Sequence, residues 1–148
     1  MSVKSSGQAG KAKRSGRPRV LLVDDSITAR DGLAALLRSS FPVHVAGEAV
    51  DGPQGLAMAE ALQPDLVITD LQMPGFDGLQ LVQRLRQQHP VMRSIVVSAN
   101  EGTVWQRLSL SHGADGFISK PRIPKELPGL LERLFPAISG DLLREQES

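Results

Sequence analysis

Asp24 and Asp25 follow the apolar run Val20-Leu21-Leu22-Val23, Asp70 follows Leu66-Val67-Ile68-Thr69, and Lys120 follows Phe117-Ile118-Ser119. Each polar residue therefore ends a short segment rich in β-branched and apolar side chains. Parallel strands point their carboxyl ends to one edge, and ligand sites of open α/β sheets form at that edge. Three carboxylates and one ammonium gathered there would make a cation site beside a nucleophile. Adjacent carboxylates raise each other's pKa unless a cation intervenes. A hard cation with oxygen ligands, Mg²⁺ first, suits carboxylates supplemented by a backbone carbonyl and waters. One carboxylate can still attack phosphorus. The incoming phosphoryl group then needs cationic and hydroxyl donors around its oxygens. Lys120 supplies the charge, and Ser98, at the end of Ile95-Val96-Val97-Ser98, supplies a hydroxyl on the same edge.

The elements that must position these groups alternate along the chain. Extended segments are predicted at 19–24, 43–48, 65–70, 93–98 and 115–119. Helical periodicity fills the gaps. In 26–39 the stripe is Ile27, Leu33, Ala34, Leu36 and Leu37, after Ser26 as N-cap. In 53–62 it is Leu56, Met58, Ala59 and Leu62, after Asp51-Gly52. In 77–88 it is Leu79, Leu81, Val82 and Leu85, with Asp77 as N-cap. The fourth helix, 101–112, holds Val104, Trp105 and Leu108 and ends at Gly113 as C-cap. The fifth, near 125–135, holds Leu127, Leu130, Leu131, Leu134 and Phe135. Pro128 suits only a first turn, so a start at 125–128 is predicted. Five strand–helix units with near-continuous apolar strands imply a parallel sheet covered on both faces.

Composition bounds the function. The 148 residues suit one domain with tails, and 41% hydrophobic content allows a core. The chain has no cysteine, which excludes disulfides, thiol catalysis and cysteine-based metal sites and fits a reducing compartment. No apolar run approaches the roughly 20 residues that span a bilayer, and the N-terminus lacks the apolar core of a secretory signal. A cytoplasmic protein without membrane contact is expected. The net charge of +1 hides an asymmetry: residues 1–19 carry six basic side chains and no acid, while 20–148 carry 11 basic and 16 acidic ones. Residues 1–18 are expected to form a disordered basic tail; residues 136–148 form a polar tail with Leu142 and Leu143 as a short helix. His44, His89 and His112 lack ligand spacing and read as surface or helix-end residues.

The ordered set resembles the receiver domain of two-component response regulators, the CheY-like family. The resemblance rests on Val23-Asp24-Asp25-Ser26, Asp70-Leu71-Gln72-Met73-Pro74-Gly75-Phe76-Asp77-Gly78, Ser98-Ala99, Gly113-Ala114-Asp115-Gly116-Phe117 and Lys120-Pro121. It covers residues 19–135. It implies a doubly wound (βα)5 flavodoxin-like α/β fold with a five-stranded parallel sheet in the order 2-1-3-4-5. It also implies Asp70 as phosphoacceptor, with Mg²⁺ held by Asp25, Asp70 and the backbone carbonyl of Gln72, and by Asp24 through a metal-bound water. Ser98 and Lys120 would contact the phosphoryl oxygens, and Phe117 would be the switch aromatic. Gln72 and Asn100 would line the mouth of the site and tune the lifetime of the acyl phosphate. The resemblance favours a cis Lys120–Pro121 bond.

The function expected is a single-domain response regulator that accepts a phosphoryl group from a sensor histidine kinase or a phosphotransfer protein. It would be no enzyme beyond catalysing its own phosphorylation and dephosphorylation. Its signal would leave through the fourth helix, fifth strand and fifth helix, toward a downstream protein target or a second copy in a homodimer formed on phosphorylation. Two other classes are open. A dehalogenase-like aspartyl-phosphate hydrolase wants a second Asp two residues after its nucleophile on the first strand, which Asp24-Asp25-Ser26-Ile27 lacks. A nucleotide-binding module wants a glycine-rich turn after that strand, and no Gly lies between Val20 and Asp31. A receiver cut from a longer regulator with a DNA-binding output domain is a further rival. The 13 residues after Phe135 are too few for such a domain, so direct DNA binding by this chain is not expected.

Overall fold

The computed structural model describes residues 16–138. The basic residues before Gly16 and the short helix expected at Leu142 and Leu143 lie outside the described residues. Five strands and five helices alternate: β1 (Arg19–Val23), α1 (Ile27–Ser40), β2 (His44–Ala49), α2 (Gly52–Leu62), β3 (Leu66–Asp70), α3 (Gly78–Gln88), β4 (Arg93–Ser98), α4 (Thr103–Ser111), β5 (Gly116–Ser119) and α5 (Ile123–Leu134). Short 3₁₀ turns at Lys120–Arg122 and Pro136–Ile138 flank α5. All strands are parallel, in the order β2-β1-β3-β4-β5. This is the doubly wound flavodoxin-like fold that the resemblance implied.

The period-2 alternation of each strand divides the core in two. Val20 and Leu22 of β1, Leu66 and Ile68 of β3, Ile95 and Val97 of β4 and Ile118 of β5 pack against α1 and α5. Leu21, Val23 and Val67 face the other way, onto α2 and α3. Val96 joins Leu71, Val82 and Ala114 in a smaller cluster against which Trp105 and Phe117 pack. Both faces are covered, which is why β1, β3 and β4 read as near-continuous apolar runs, whereas the edge strand β2 does not. Ser26, Asp51 and Asp77 each accept a backbone N–H of their helix's first turn, and Asp77 and Gln80 form a reciprocal capping box. Gly113, with φ of +111°, follows the end of α4 in a conformation that L side chains rarely adopt.

Several expectations need correction. Helix α5 begins at Ile123, so Pro128 sits in its interior. Ile123, Leu127 and Leu131, four residues apart, are all buried; packing that whole stripe offsets the interior proline, whose cost is about 3 kcal/mol. Ile138, in the segment expected to be a polar tail, is buried in the α1/α5 core. The Lys120–Pro121 bond is trans, since no cis bond occurs among the described residues. There Lys120–Arg122 closes a 3₁₀ turn with Pro121 near its start, where a fixed φ of about −65° fits. The α4 stripe is rotated. Val104 is 62% exposed while Ser109 is fully buried, and the Ser109 hydroxyl donates to the Trp105 carbonyl at 2.8 Å. Ile27 of α1, expected in the core, is likewise exposed. Among the described residues no helix is long and apolar enough to cross a membrane.

Candidate functional site

The register of the sheet gathers the predicted residues at its carboxyl edge. Val23 pairs with Thr69, so Asp24 and Asp70 follow each other on adjacent strands. Asp70 pairs with Val97, and Ser98 with Ser119, which places Ser98 beside the strand end that leads into Lys120. Carboxylate oxygens of Asp24, Asp25 and Asp70 all lie within 4.8 Å of one another. Asp24 and Asp70 are almost buried, at 6% and 9% exposure, whereas Asp25 is exposed. The Lys120 ammonium bridges the two buried acids, 3.1 Å from Asp24 Oδ2 and 3.2 Å from Asp70 Oδ1.

Backbone contacts fix this edge. The Asp24 N–H donates to the Ala49 carbonyl at 3.0 Å, extending the β1–β2 ladder by one residue. Asp24 Oδ1 accepts the Ser26 N–H at 2.9 Å. The Leu71 N–H donates to Val97, and the Gly78 N–H donates back to Leu71 at 2.8 Å, closing the loop that follows Asp70. Phe76 of that loop lies against Gly52 at the start of α2, and the Arg84 guanidinium sits 4.6 Å from the centre of its ring.

Burial pushes the Asp70 carboxyl above its ordinary value, and the neighbouring Asp24 charge adds to this; Lys120 pulls the other way without cancelling them. Burial lowers the Lys120 pKa, but its hydrogen bond to Asp24 and the charges of Asp70 and Asp24 outweigh that and leave it raised. Three carboxylates share one ammonium, so the site is short of positive charge. A divalent cation would make up that deficit, and an all-oxygen donor set selects a hard one.

The other predicted residues sit around this centre. Ser98 is buried, and its hydroxyl accepts the Asn100 N–H at 3.0 Å, so it faces its own loop. Gln72 and Asn100 are exposed at the rim. Phe117 is half-buried, outside the acid cluster, on the side of α4. The three histidines stand apart from the site: His44 starts β2, and His89 and His112 cap α3 and α4. Two residues near the acids carry no signal in the sequence. Thr69, fully buried, donates its hydroxyl to the Asp70 carbonyl at 2.9 Å. Arg30 of α1 donates to the Asp24 carbonyl at 2.6 Å and to Glu48 at 3.1 Å. A threonine in a strand and an arginine on an amphipathic helix ordinarily read as packing and solvated surface.

Comparison with known proteins places the chain in a family. Residues 20–132 match the model of the response regulator receiver domain. The nitrate/nitrite response regulator protein NarL of Escherichia coli is 36% identical over 124 residues, which are 84% of this chain and 56% of that protein. The chain thus spans little more than half the length of this relative. The signal receiver domain of the putative response regulator NarL from Mycobacterium tuberculosis superposes with a TM-score of 0.74 at 32% identity, covering 80% of this chain and 96% of that one. The chain of a CheX-CheY-BeF3-Mg²⁺ complex from Borrelia burgdorferi gives 0.72 at 25% identity, covering 79% and 88%. The sheet order, the apolar strands and the acid cluster at their carboxyl ends thus have the same explanation: the chain belongs to the response regulator receiver domain family.

Proposed function

We propose that the chain is a phosphorylatable signalling switch in which Asp70 accepts a phosphoryl group from a histidine kinase or a phosphotransfer protein, with Mg²⁺ as cofactor. The observation that carries this reading is Lys120 bridging Asp24 and Asp70 inside a three-carboxylate cluster. An Asp70 oxygen forms the new O–P bond while the P–N bond of a phosphohistidine donor breaks, its electron pair returning to the imidazole. Burial makes Asp70 more basic, and a more basic carboxylate is a better nucleophile. Lys120 donates to the phosphoryl oxygens, and the Ser98 hydroxyl turns from Asn100 toward them. Asp24, Asp25, Asp70 and the Gln72 carbonyl would hold Mg²⁺, which neutralises charge on the carboxylates and the phosphoryl group. Gln72 and Asn100, at the rim, tune the access of water and so the lifetime of the acyl phosphate. The chain turns over no separate substrate.

The output face is α4, β5 and α5. Val104, Leu108 and Leu110 of α4 are exposed, and a groove of about 360 Å³ runs between α4 and α5 over β5, lined by Gln106, Leu110, Phe117 and Leu130 among others. Ser98 and Phe117 sit at either end of this route, and phosphate shifts the populations of two arrangements by differential contacts. The partner is a protein or a second copy of the chain. A single-domain regulator acts through this face alone. The second reading, the receiver of a longer regulator, is favoured by the 56% coverage of the curated relative.

Trp105 reports on this face. Beryllofluoride with Mg²⁺ should change its emission in the wild type. Lys120→Ala should remain folded and give no change, because the ammonium that reads the phosphoryl group is gone. Unchanged emission in the wild type, with amide NMR shifts confined to α1 and α2, would rule out this output route.

A further inference from the structure

We infer that Arg30 is a positioning residue for the paired carboxylates Asp24 and Asp25. The inference rests on the metal-assisted phosphoacceptor reading above and adds a residue that the reading does not use. Arg30 lies in the first turn of α1 with only 11% of its side chain exposed. Its Nη1 donates to the Asp24 carbonyl at 2.6 Å, and its Nε donates to Glu48 Oε1 at 3.1 Å. Glu48 pairs in register with Leu22 on the edge strand β2. The guanidinium therefore ties the end of β2 to the peptide group that joins the two acids.

The N–H of Asp24 is held by Ala49 and its Oδ1 by the Ser26 N–H. Its carbonyl, which leads into Asp25, has left the strand ladder and is taken by Arg30 instead. Asp25 is exposed, so packing does little to hold its side chain, and the peptide plane that Arg30 bonds helps to place the backbone from which its carboxylate projects. The planar fork suits two acceptors at once, and a lysine cannot reproduce this. A solvated Arg30–Glu48 pair would act differently. It would contribute a little stability, salt-dependent and unrelated to the acids. Outer groups that orient ligands change metal affinity instead, typically by 10–100-fold.

The test separates these effects. Mg²⁺ binding is followed by calorimetry and by amide NMR shifts on the unphosphorylated chain, and unfolding is followed in Mg²⁺-free buffer. Arg30→Met keeps most of the buried stem and should weaken Mg²⁺ binding about ten-fold, while Asp70 is still phosphorylated fully at saturating Mg²⁺. Arg30→Lys should fall between Arg30→Met and the wild type. Glu48→Ala, which frees one side of the fork, should weaken binding by a smaller factor than Arg30→Met. If Arg30→Met does not fold, Arg30→Lys and Glu48→Ala carry the same ordering. Wild-type Mg²⁺ affinity in folded Arg30 variants would overturn the inference and leave the phosphoacceptor reading intact. A wild type that binds no Mg²⁺ would overturn both.

Discussion

Gly78→Ala should destabilise the domain by roughly 2–3 kcal/mol. A Cβ at Gly78 would collide with the Asp70 carbonyl oxygen, and it would stand 3.1 Å from the Leu71 Cα. Both obstacles are backbone, so no flexible side chain can swing away. The Gly78 N–H also donates to the Leu71 carbonyl at 2.8 Å, so moving it opens the loop that follows Asp70. Gly32→Ala is the contrast. No atom lies within 4 Å of a Cβ there, and the residue is exposed inside α1, so alanine should stabilise by about 0.5–1 kcal/mol. Chemical denaturation of both variants checks the pair. A Gly78→Ala midpoint equal to that of the wild type would show that the loop yields more easily than its contacts imply.

Asp70→Asn should make the Mg²⁺-free protein more stable at pH 7, not less. The Asp70 carboxyl has its pKa raised in the folded state, chiefly by burial and then by Asp24. A raised folded pKa means that the folded state holds the proton more tightly than the unfolded chain does. The stability linked to that proton is complete below the unfolded value of 3.8. It is lost as pH rises through the folded pKa. At pH 7 the unfolded chain carries an ionised Asp70 whose charge the folded surroundings disfavour, and asparagine removes that cost of folding. Lys120 keeps Asp24 as a partner at 3.1 Å, so no ammonium is stranded. The advantage of Asp70→Asn should shrink as pH falls toward 3.8, and it should shrink when Mg²⁺ is added, because the cation stabilises the wild type more. Thermal unfolding at several pH values, with and without Mg²⁺, reads this out. A variant less stable than the wild type at pH 7 without Mg²⁺ would mean that the Lys120 contact outweighs burial.

Much of the fold and the acid cluster could be read in the sequence because both depend on the same signal. The strands β1, β3 and β4 are buried on two faces, so each is an apolar run, and the polar residue at or just after its end marks the carboxyl edge. Asp24, Asp25, Asp70, Ser98 and Lys120 stood out for that reason. The caps at Ser26, Asp51 and Asp77 were readable because capping is local chemistry. Helix faces were less so. Periodicity assigns Val104, Trp105 and Leu108 to a core stripe, yet tertiary packing keeps Trp105 and adds Ser109 in place of the other two, since a serine can be buried once its hydroxyl bonds the carbonyl four residues back. Pro128 suggested a late helix start because local cost was weighed without the burial of Ile123, Leu127 and Leu131. Ile138 lies beyond the last periodic helix, and only the packed core shows that it is buried. Arg30 and Glu48 are 18 residues apart, and nothing local marks them as partners at the site.

The most direct test of the central claim is intact mass after incubation with Mg²⁺ and a small acyl phosphate such as acetyl phosphate, or with a phosphorylated histidine kinase. The account predicts one phosphoryl group on the wild type, none when Mg²⁺ is chelated, and none on Asp70→Ala. An adduct that survives Asp70→Ala, or no adduct on the wild type with either class of donor, would contradict it.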